Sequence, residues 1–319
     1  MSGGQRVDWT SRPAGPLSGV VRVPGDKSVS HRAMMLGAIA EGVSHIHGFL
    51  EGEDTRATAA VMQQLGVRID ALADGERVVH GVGLHGLRAA ASALDCGNAG
   101  TGMRLLTGLL AGQAFDSTLV GDESLSKRPM RRVTDPLAQM GARIDSREGL
   151  PPLHVRGGQP LHGIRYTLPV ASAQLKSALL LAGLQAQGPT TVHEPAPSRD
   201  HSERLLALCG AAISRGAGWV RVEASALTLP PELRVPGDAS SAAFFLAAAA
   251  ITPGSRVTAE GVLLNPTRTG YQTVLERMGA RMTVSQQGTE PEEWGRVEAE
   301  HSPGLVATEV AAAEVPLLV

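Results

Sequence analysis

The chain is short of cysteine, of aromatic side chains and of long apolar runs, and each shortage removes a class of protein. Cys96 and Cys209 are the two cysteines among 319 residues, too few for a disulfide framework or for paired zinc thiolates. The expectation is that both are small buried apolar side chains. Phe, Trp and Tyr together make up 3% of the chain, so the core must be packed with Ala, Val, Leu and Met. The most apolar stretch, 242–251, is too short to cross a bilayer, and residues 1–10 carry no apolar signal region. A cytoplasmic protein with no membrane partner follows as an expectation. A formal net charge of -2 leaves no basic field to hold nucleic acid.

Glycine, by contrast, is abundant: 38 residues, well above the usual share of roughly 7%. Four of these glycines mark a repeat. Segments 54–69, 132–144, 200–213 and 268–282 each read as a helix that ends at a Gly, followed by a small residue, any residue and an aliphatic. The glycines are Gly66, Gly141, Gly210 and Gly279, spaced by 75, 69 and 69 residues. Each stands where a helix C-cap needs a left-handed residue, with apolar residues such as Val133, Leu137 and Met140 at helical spacing before it. Upstream of each lies an Ala/Leu-rich helix opened by a small or polar cluster, at 24–40, 96–111, 171–186 and 237–251. The unit is strand, helix, strand, helix, then two strands, which makes the fold α/β and built from repeated βαβαββ units too long for a solenoid.

Four ordered motifs then stand out: RVPGDKSVSHRA at 22–33, LDCGNAGTGMRLL at 94–106, GDESLSKRPM at 121–130 and PVASAQLKS at 169–177. In these the chain resembles the 5-enolpyruvylshikimate-3-phosphate (EPSP) synthase family over nearly its whole length. The resemblance implies a transferase of the shikimate pathway, which leads to chorismate and aromatic amino acids. It moves the enolpyruvyl group of phosphoenolpyruvate onto the 5-hydroxyl of shikimate 3-phosphate and releases phosphate. It also implies no metal and no organic cofactor, a monomer, and an inverse α/β barrel-like fold of two domains, each of three βαβαββ units. One domain would be 23–234; the other would hold 1–22 plus 235–319 and be incomplete.

Both substrates are small anions, and helix N-termini with unsatisfied N–H groups attract such ligands. Three helix starts fit: Lys27-Ser28, 97–101 and 172–174. Lys27 opens a helix with Ser28 beside it and Arg32 one turn on, so the three can converge on one ligand. By resemblance all three contact shikimate 3-phosphate, and Lys27, the one catalytic candidate, also lies near phosphoenolpyruvate. Gly100 would let the backbone approach phosphoenolpyruvate, and Arg128 would grip its carboxylate or phosphate. Ser172 and Gln174 match positions that bind shikimate 3-phosphate. Ala173 between them replaces a serine of some family members and removes one hydrogen bond. Ser198 and Arg199 fall where the family continues this pocket, on a looser match. Arg104 receives no role, and Arg131 and Arg132 read as solvated helix-face charges.

Weaker signals are set aside. Gly25, Lys27 and Ser28 imitate the end of a P-loop, but Asp26 separates glycine from lysine and the upstream glycine is missing. The G-x-G-x-x-G of 81–86 reads as strand and turn because no long helix follows it. The ten histidines include no His-x-x-x-His pair, and His31, His193 and His201 have no acidic neighbour at metal-ligand spacing, so they are expected to be structural or on the surface.

Three rivals remain: a non-catalytic shikimate 3-phosphate-binding protein, the UDP-N-acetylglucosamine enolpyruvyl transferase, and a nucleic-acid end-processing enzyme of similar architecture. The second expects Lys-Asn in place of Lys27-Ser28 and a reactive loop cysteine; the third expects a basic patch. The family's catalytic acid follows a Val-Pro-aliphatic segment, here EVPLLV at 314–319. By resemblance, then, the acid and base residues of the family lie beyond Val319, and six units of this period exceed 319 residues. A C-terminally shortened chain is therefore expected, one that folds its three-unit portion and binds shikimate 3-phosphate weakly without turnover. Phosphate release at full rate from the 319-residue polypeptide would refute this.

Overall fold

The structure, a computed structural model, describes residues 10–13, 15–73 and 75–318. Two readings lie outside the described residues: that of residues 1–9, and that of Val319 as the position beyond which the family's acid and base residues follow. The chain opens with β1 (Ser18–Val21), α1 (Lys27–Ile39), β2 (Glu41–His47), α2 (Glu53–Gln64), β3 (Arg68–Ala71) and β4 (Arg77–Val82). Next come β5 (Leu94–Asp95), α3 (Gly100–Leu110), β6 (Ser117–Val120), α4 (Arg131–Gln139), β7 (Arg143–Arg147) and β8 (Leu150–Arg156). Then β9 (Arg165–Thr167), α5 (Ala173–Gly183), β10 (Thr190–His193), α6 (His201–Leu208), β11 (Ile213–Gly216) and β12 (Trp219–Val222) repeat that order. The rest is β13 (Glu232–Arg234), α7 (Ala239–Ile251), β14 (Arg256–Leu263), α8 (Gly270–Arg277), β15 (Arg281–Gly288), β16 (Trp294–Glu300) and a last turn, α9 (Val315–Leu318).

The expected unit is present, and the four repeat glycines explain why it recurs. Gly66, Gly141, Gly210 and Gly279 have φ of 93, 101, 76 and 96°, a region that admits glycine at no steric cost and turns a finished helix into the next strand. The strands form four sheets, ordered β13-β2-β4-β3, β5-β6-β8-β7, β9-β10-β12-β11 and β1-β14-β16-β15. Each sheet begins with a parallel pair and continues antiparallel. The glycine run at 81–86 ends β4 and forms a turn, as read from the sequence.

Two of these sheets exchange their first strands. β1 precedes α1 in the chain but pairs with β14, and β13 comes back to pair with β2. Two apolar clusters follow the exchange: a large one from Val29 to Val235, and a small one from Ala239 to Ala299 against which Leu17, Val21 and Val23 pack. In the large cluster α1 is buried along almost its whole length, as are α3 and α5; helices apolar all round belong inside a core. Their polar ends are left to meet at one edge.

The chain passes between the clusters twice, and the two passages have one sequence, RVPGD, at 22–26 and 234–238. They bind reciprocally: Asp26 N–H donates to the Pro236 carbonyl and Asp238 N–H to the Pro24 carbonyl, both at 2.8 Å. Each Asp then caps the helix it precedes, Asp26 accepting from Val29 N–H at 2.9 Å and Asp238 from Ser241 N–H at 2.6 Å. Arg268 Nη2 reaches the carboxylates of both, at 3.3 and 3.2 Å. Gly25 is obligatory here, since a Cβ would stand 1.9 Å from the Gly48 carbonyl oxygen. Asp26 is wholly buried. Burial raises its pKa, but the charges of His201 and Arg268 outweigh that and hold it low. For Asp238, burial and the Asp26 carboxylate push the pKa up.

Replacing Asp26 by alanine removes a helix cap and one partner of a buried ion pair. The expected loss is about 2–4 kcal/mol in urea unfolding. Asp26→Asn keeps the capping oxygen and should lose less.

Candidate active site

Three buried helices bring their first turns together. α1 starts at Lys27 behind the Asp26 cap, α3 starts at Gly100, and α5 starts at Ala173 behind Ser172, whose hydroxyl accepts from Leu175 N–H at 3.4 Å. Arg32 Nη2 of α1 donates to Ser177 Oγ of α5 at 2.8 Å, and Gln174 Nε2 of α5 donates to Thr101 Oγ1 of α3 at 3.0 Å. The three helix starts read from the sequence are therefore neighbours.

The residues expected to bind substrate join in one line of contacts. Lys27 Nζ lies 3.0 Å from Asp54 Oδ2, with its side chain half exposed. Ser28 Oγ accepts from Arg199 Nη1 at 3.4 Å. Ser172, Ala173, Gln174, Ser198 and Arg199 line a single cavity of about 280 Å³, together with Pro316. Ser198 bonds the Glu194 carboxylate, which Lys176 fixes from inside at 2.8 Å. Gln174 Oε1 accepts from Arg104 Nη1 at 3.0 Å, and the same nitrogen reaches the Gly100 carbonyl at 3.1 Å. Arg128 holds both the side chain and the carbonyl of Asn98, and Ser124 Oγ at 3.1 Å.

The structure places three further arginines. Arg32, one turn on from Lys27, is buried. Its fork turns inward, giving Nε to Ser202 Oγ at 2.7 Å and Nη1 to the Ser28 carbonyl at 2.9 Å, because an arginine one turn into a buried helix finds hydroxyls on α5 and α6 before it finds solvent. Arg104, given no role, is buried and sits between Gly100 and Gln174. Its position four residues after Gly100, on the same helix face, was the available signal. Arg132 is exposed, as read, yet it lines the cavity with Ser172 and Gln174.

The role expected for Gly100 also gains a physical content. A Cβ there would sit 3.0 Å from Arg128 Nη1 and 3.1 Å from Arg104 Nη1, so the missing side chain lets two guanidinium groups approach one helix start. Charge accumulates around it. Burial, then Arg132 and Arg128, push the pKa of Arg104 down to about 10. Burial first and Arg268 next do the same to Arg199, also to about 10. Among the described residues Arg104, Arg128, Arg132 and Arg199 form no ion pair with a carboxylate. Guanidinium groups gathered at helix N-termini without a direct carboxylate ion pair attract a polyanion.

Both cysteines are buried, as expected, and burial pushes their thiols up to about 12, which removes them as nucleophiles. His31 and His201 are structural, as read: both are buried, with Nδ1 2.8 Å from Thr58 Oγ1 and 2.7 Å from Glu292 Oε1. Two carboxylate–imidazole groups come together that no spacing showed: His45, His47 and Glu76, and Asp200, His201 and Glu292. Among the described residues no helix is long and apolar enough to cross a membrane.

Comparison with known proteins gives the same picture. The profile of the family EPSP synthase (3-phosphoshikimate 1-carboxyvinyltransferase) matches residues 11–317. The chain belongs to the EPSP synthase family. It is 58% identical over 287 residues to the 3-phosphoshikimate 1-carboxyvinyltransferase of Xanthomonas euvesicatoria pv. vesicatoria (strain 85-10), covering 89% of this chain and 65% of that protein. With the enzyme of the same name from Xylella fastidiosa (strain Temecula1 / ATCC 700964) it is 57% identical, over 89% of this chain and 63% of that one. The chain thus spans just under two thirds of the length of these relatives. An EPSP synthase structure from Acinetobacter baumannii superposes with a TM-score of 0.89 at 48% identity, covering 96% of this chain and 69% of that one.

If these arginines make the site, inorganic phosphate should bind the chain, and Arg128→Ala or Arg104→Gln should weaken it about tenfold or more, as lost charge-assisted hydrogen bonds do. Arg131→Ala, an exposed neighbour bonded to the Glu148 carbonyl, should leave it unchanged. Calorimetric titration separates these outcomes.

Proposed function

We propose that the protein transfers the enolpyruvyl group of phosphoenolpyruvate to the 5-hydroxyl of shikimate 3-phosphate, releasing phosphate. The observation that carries this reading is the cluster of Arg104, Arg128, Arg132 and Arg199 around three helix starts without carboxylate ion partners. Two ligands that together bring two phosphates and two carboxylates supply the missing negative charge.

The roles divide along the line of contacts. Ser28, Ser172, Ala173, Gln174, Ser198 and Arg199 would hold shikimate 3-phosphate, with Arg32 fixing the Ser28 backbone and the hydroxyls of Ser177 and Ser202 from behind. Gly100 and Arg128, joined by Arg104 and Arg132, would receive phosphoenolpyruvate, and Gln174 would touch both ligands. The hydroxyl oxygen adds to carbon 2 of the enol as a proton reaches the methylene carbon. The C–O bond to phosphate then breaks and the methyl group gives a proton back, so that the double bond is restored and the hydroxyl's proton leaves with the phosphate. Lys27, at the mouth of the site with its ammonium on Asp54, is the catalytic candidate among these residues: it can offset negative charge and hand on a proton.

The same reading divides the chain into one domain at 23–234 and another from 1–22 plus 235–319, which the two separate apolar clusters support. A cytoplasmic monomer belongs to it as well. The rival that acts on UDP-N-acetylglucosamine is disfavoured, since it needs a reactive cysteine and both thiols are buried.

The test is calorimetric titration of the chain with shikimate 3-phosphate. Binding is expected, about tenfold or more weaker in Lys27→Ala and in Arg199→Ala, with no binding of UDP-N-acetylglucosamine. No response to shikimate 3-phosphate at millimolar concentration would overturn the proposal.

A further inference from the structure

We propose that His45, His47 and Glu76, with Glu232 beside them, form a site for a divalent transition-metal ion of the zinc type on the outer face of the β13-β2-β4-β3 sheet. β2 alternates there: Ser44 and Ile46 are buried, whereas His45 and His47 project from the opposite face and are partly exposed. The register supplies the carboxylates. Glu232 of β13 is directly opposite His45, and Glu76 precedes Arg77, the partner of Ile46, so it lies across from His47. Three strands place two imidazoles and two carboxylates on one patch.

The spacing suits a metal. His45 Nε2 is 3.3 Å from Glu76 Oε2 and His47 Nδ1 is 3.2 Å from Glu76 Oε1. Glu232 Oε2 faces the other ring nitrogens, 3.8 Å from His45 Nδ1 and 2.5 Å from His47 Nε2, where a carboxylate orients a metal-bound imidazole without binding the ion. Zinc bonds of about 2.0–2.1 Å at tetrahedral angles put neighbouring ligand atoms roughly 3.3 Å apart. His45 Nε2 is shielded from water and makes no hydrogen bond, an unsatisfied buried polar atom that a metal bond would satisfy. Imidazole with carboxylate selects zinc, nickel or copper over magnesium or calcium. The other carboxylate–imidazole group carries no such proposal, because Asn265 and Arg204 already occupy the oxygens of Asp200 and Glu292.

An ion here would tie β2 to the residue before β4, and reach β13 only through the contact of Glu232 with His47. β13 runs straight into the second passage between the clusters, where Val235 N–H donates to the His47 carbonyl at 2.8 Å. The metal would therefore reach the exchanged strand indirectly, away from the anion-binding cavity.

Titration of the untagged, metal-stripped 319-residue chain with Zn²⁺ tests this. Binding of one ion per chain is expected, with affinity at least about tenfold lower in His45→Ala and in His47→Ala, and unchanged in His154→Ala on β8. Zn²⁺ should raise the melting temperature of the wild type and not of the first two variants. Glu76→Gln keeps the side-chain shape and should also weaken binding, which separates loss of a ligand from loss of fold. Absence of Zn²⁺ binding, or equal affinity in the wild type, His47→Ala and Glu76→Gln, would overturn the proposal.

Discussion

Everything in this fold hangs on the reciprocal pair of backbone hydrogen bonds between 24–26 and 236–238. Two strands that leave their own units must cross, and a crossing inside a protein buries peptide groups that need partners. Here each passage supplies what the other lacks, N–H to carbonyl in both directions, and the Asp ending each passage satisfies the first free N–H groups of the following helix. The two carboxylates so buried would repel one another, and Arg268 between them, with one pKa held low and the other pushed up, offsets that. Lys27 and Ser28 are the next residues of the first passage. The device that closes the crossing thus sets the height and direction of the first helix start in the proposed anion site.

The site itself works against stability. Burying guanidinium groups near one another costs the empty protein: burial first and neighbouring arginines next lower the pKa of Arg104, and burial lowers that of Arg199 although Asp26 and Asp238 partly offset it. The rigid surroundings make this tolerable. α1, α3 and α5 are buried on nearly all faces, and Gly108 lets α3 sit so close to α5 that a Cβ there would lie 2.2 Å from the Ala178 carbonyl oxygen. Helices locked by such packing cannot splay to relieve the repulsion, so the charge stays poised for a ligand.

Much of this was legible in the sequence because few residue types satisfy the constraints involved. A left-handed helix end selects glycine, so the four repeat glycines reported the unit and its period. Short motifs that resemble a family singled out Lys27, Ser28, Gly100, Arg128 and the residues around Ser172, and the structure brings the helix starts that carry Lys27, Gly100 and Ser172 together. Contacts that join distant segments were not. The strand exchange rests on β1 and β13, of four and three residues, whose pairing no local pattern encodes. The repeated RVPGD was in plain view, but at a spacing three times the period of the units. Arg32 was read by helical position alone, and its inward turn depends on hydroxyls of Ser177 and Ser202, far off in the chain.

The same limit explains the histidines. Metal motifs are recognised by spacing along a helix or loop, where ligands lie a few residues apart. On a sheet the neighbours of one residue are the same-face residue two positions away and the residues opposite it on either side. His45 and His47 satisfy the first relation, and Glu76 and Glu232 satisfy the second at separations of 29 and 185 residues from His47. Only the register brings the four together, and the register of β13 on β2 exists because the chain has crossed and returned. Glu232 is therefore the one member that the exchange supplies, while His45, His47 and Glu76 come from the β2–β4 pairing within one unit.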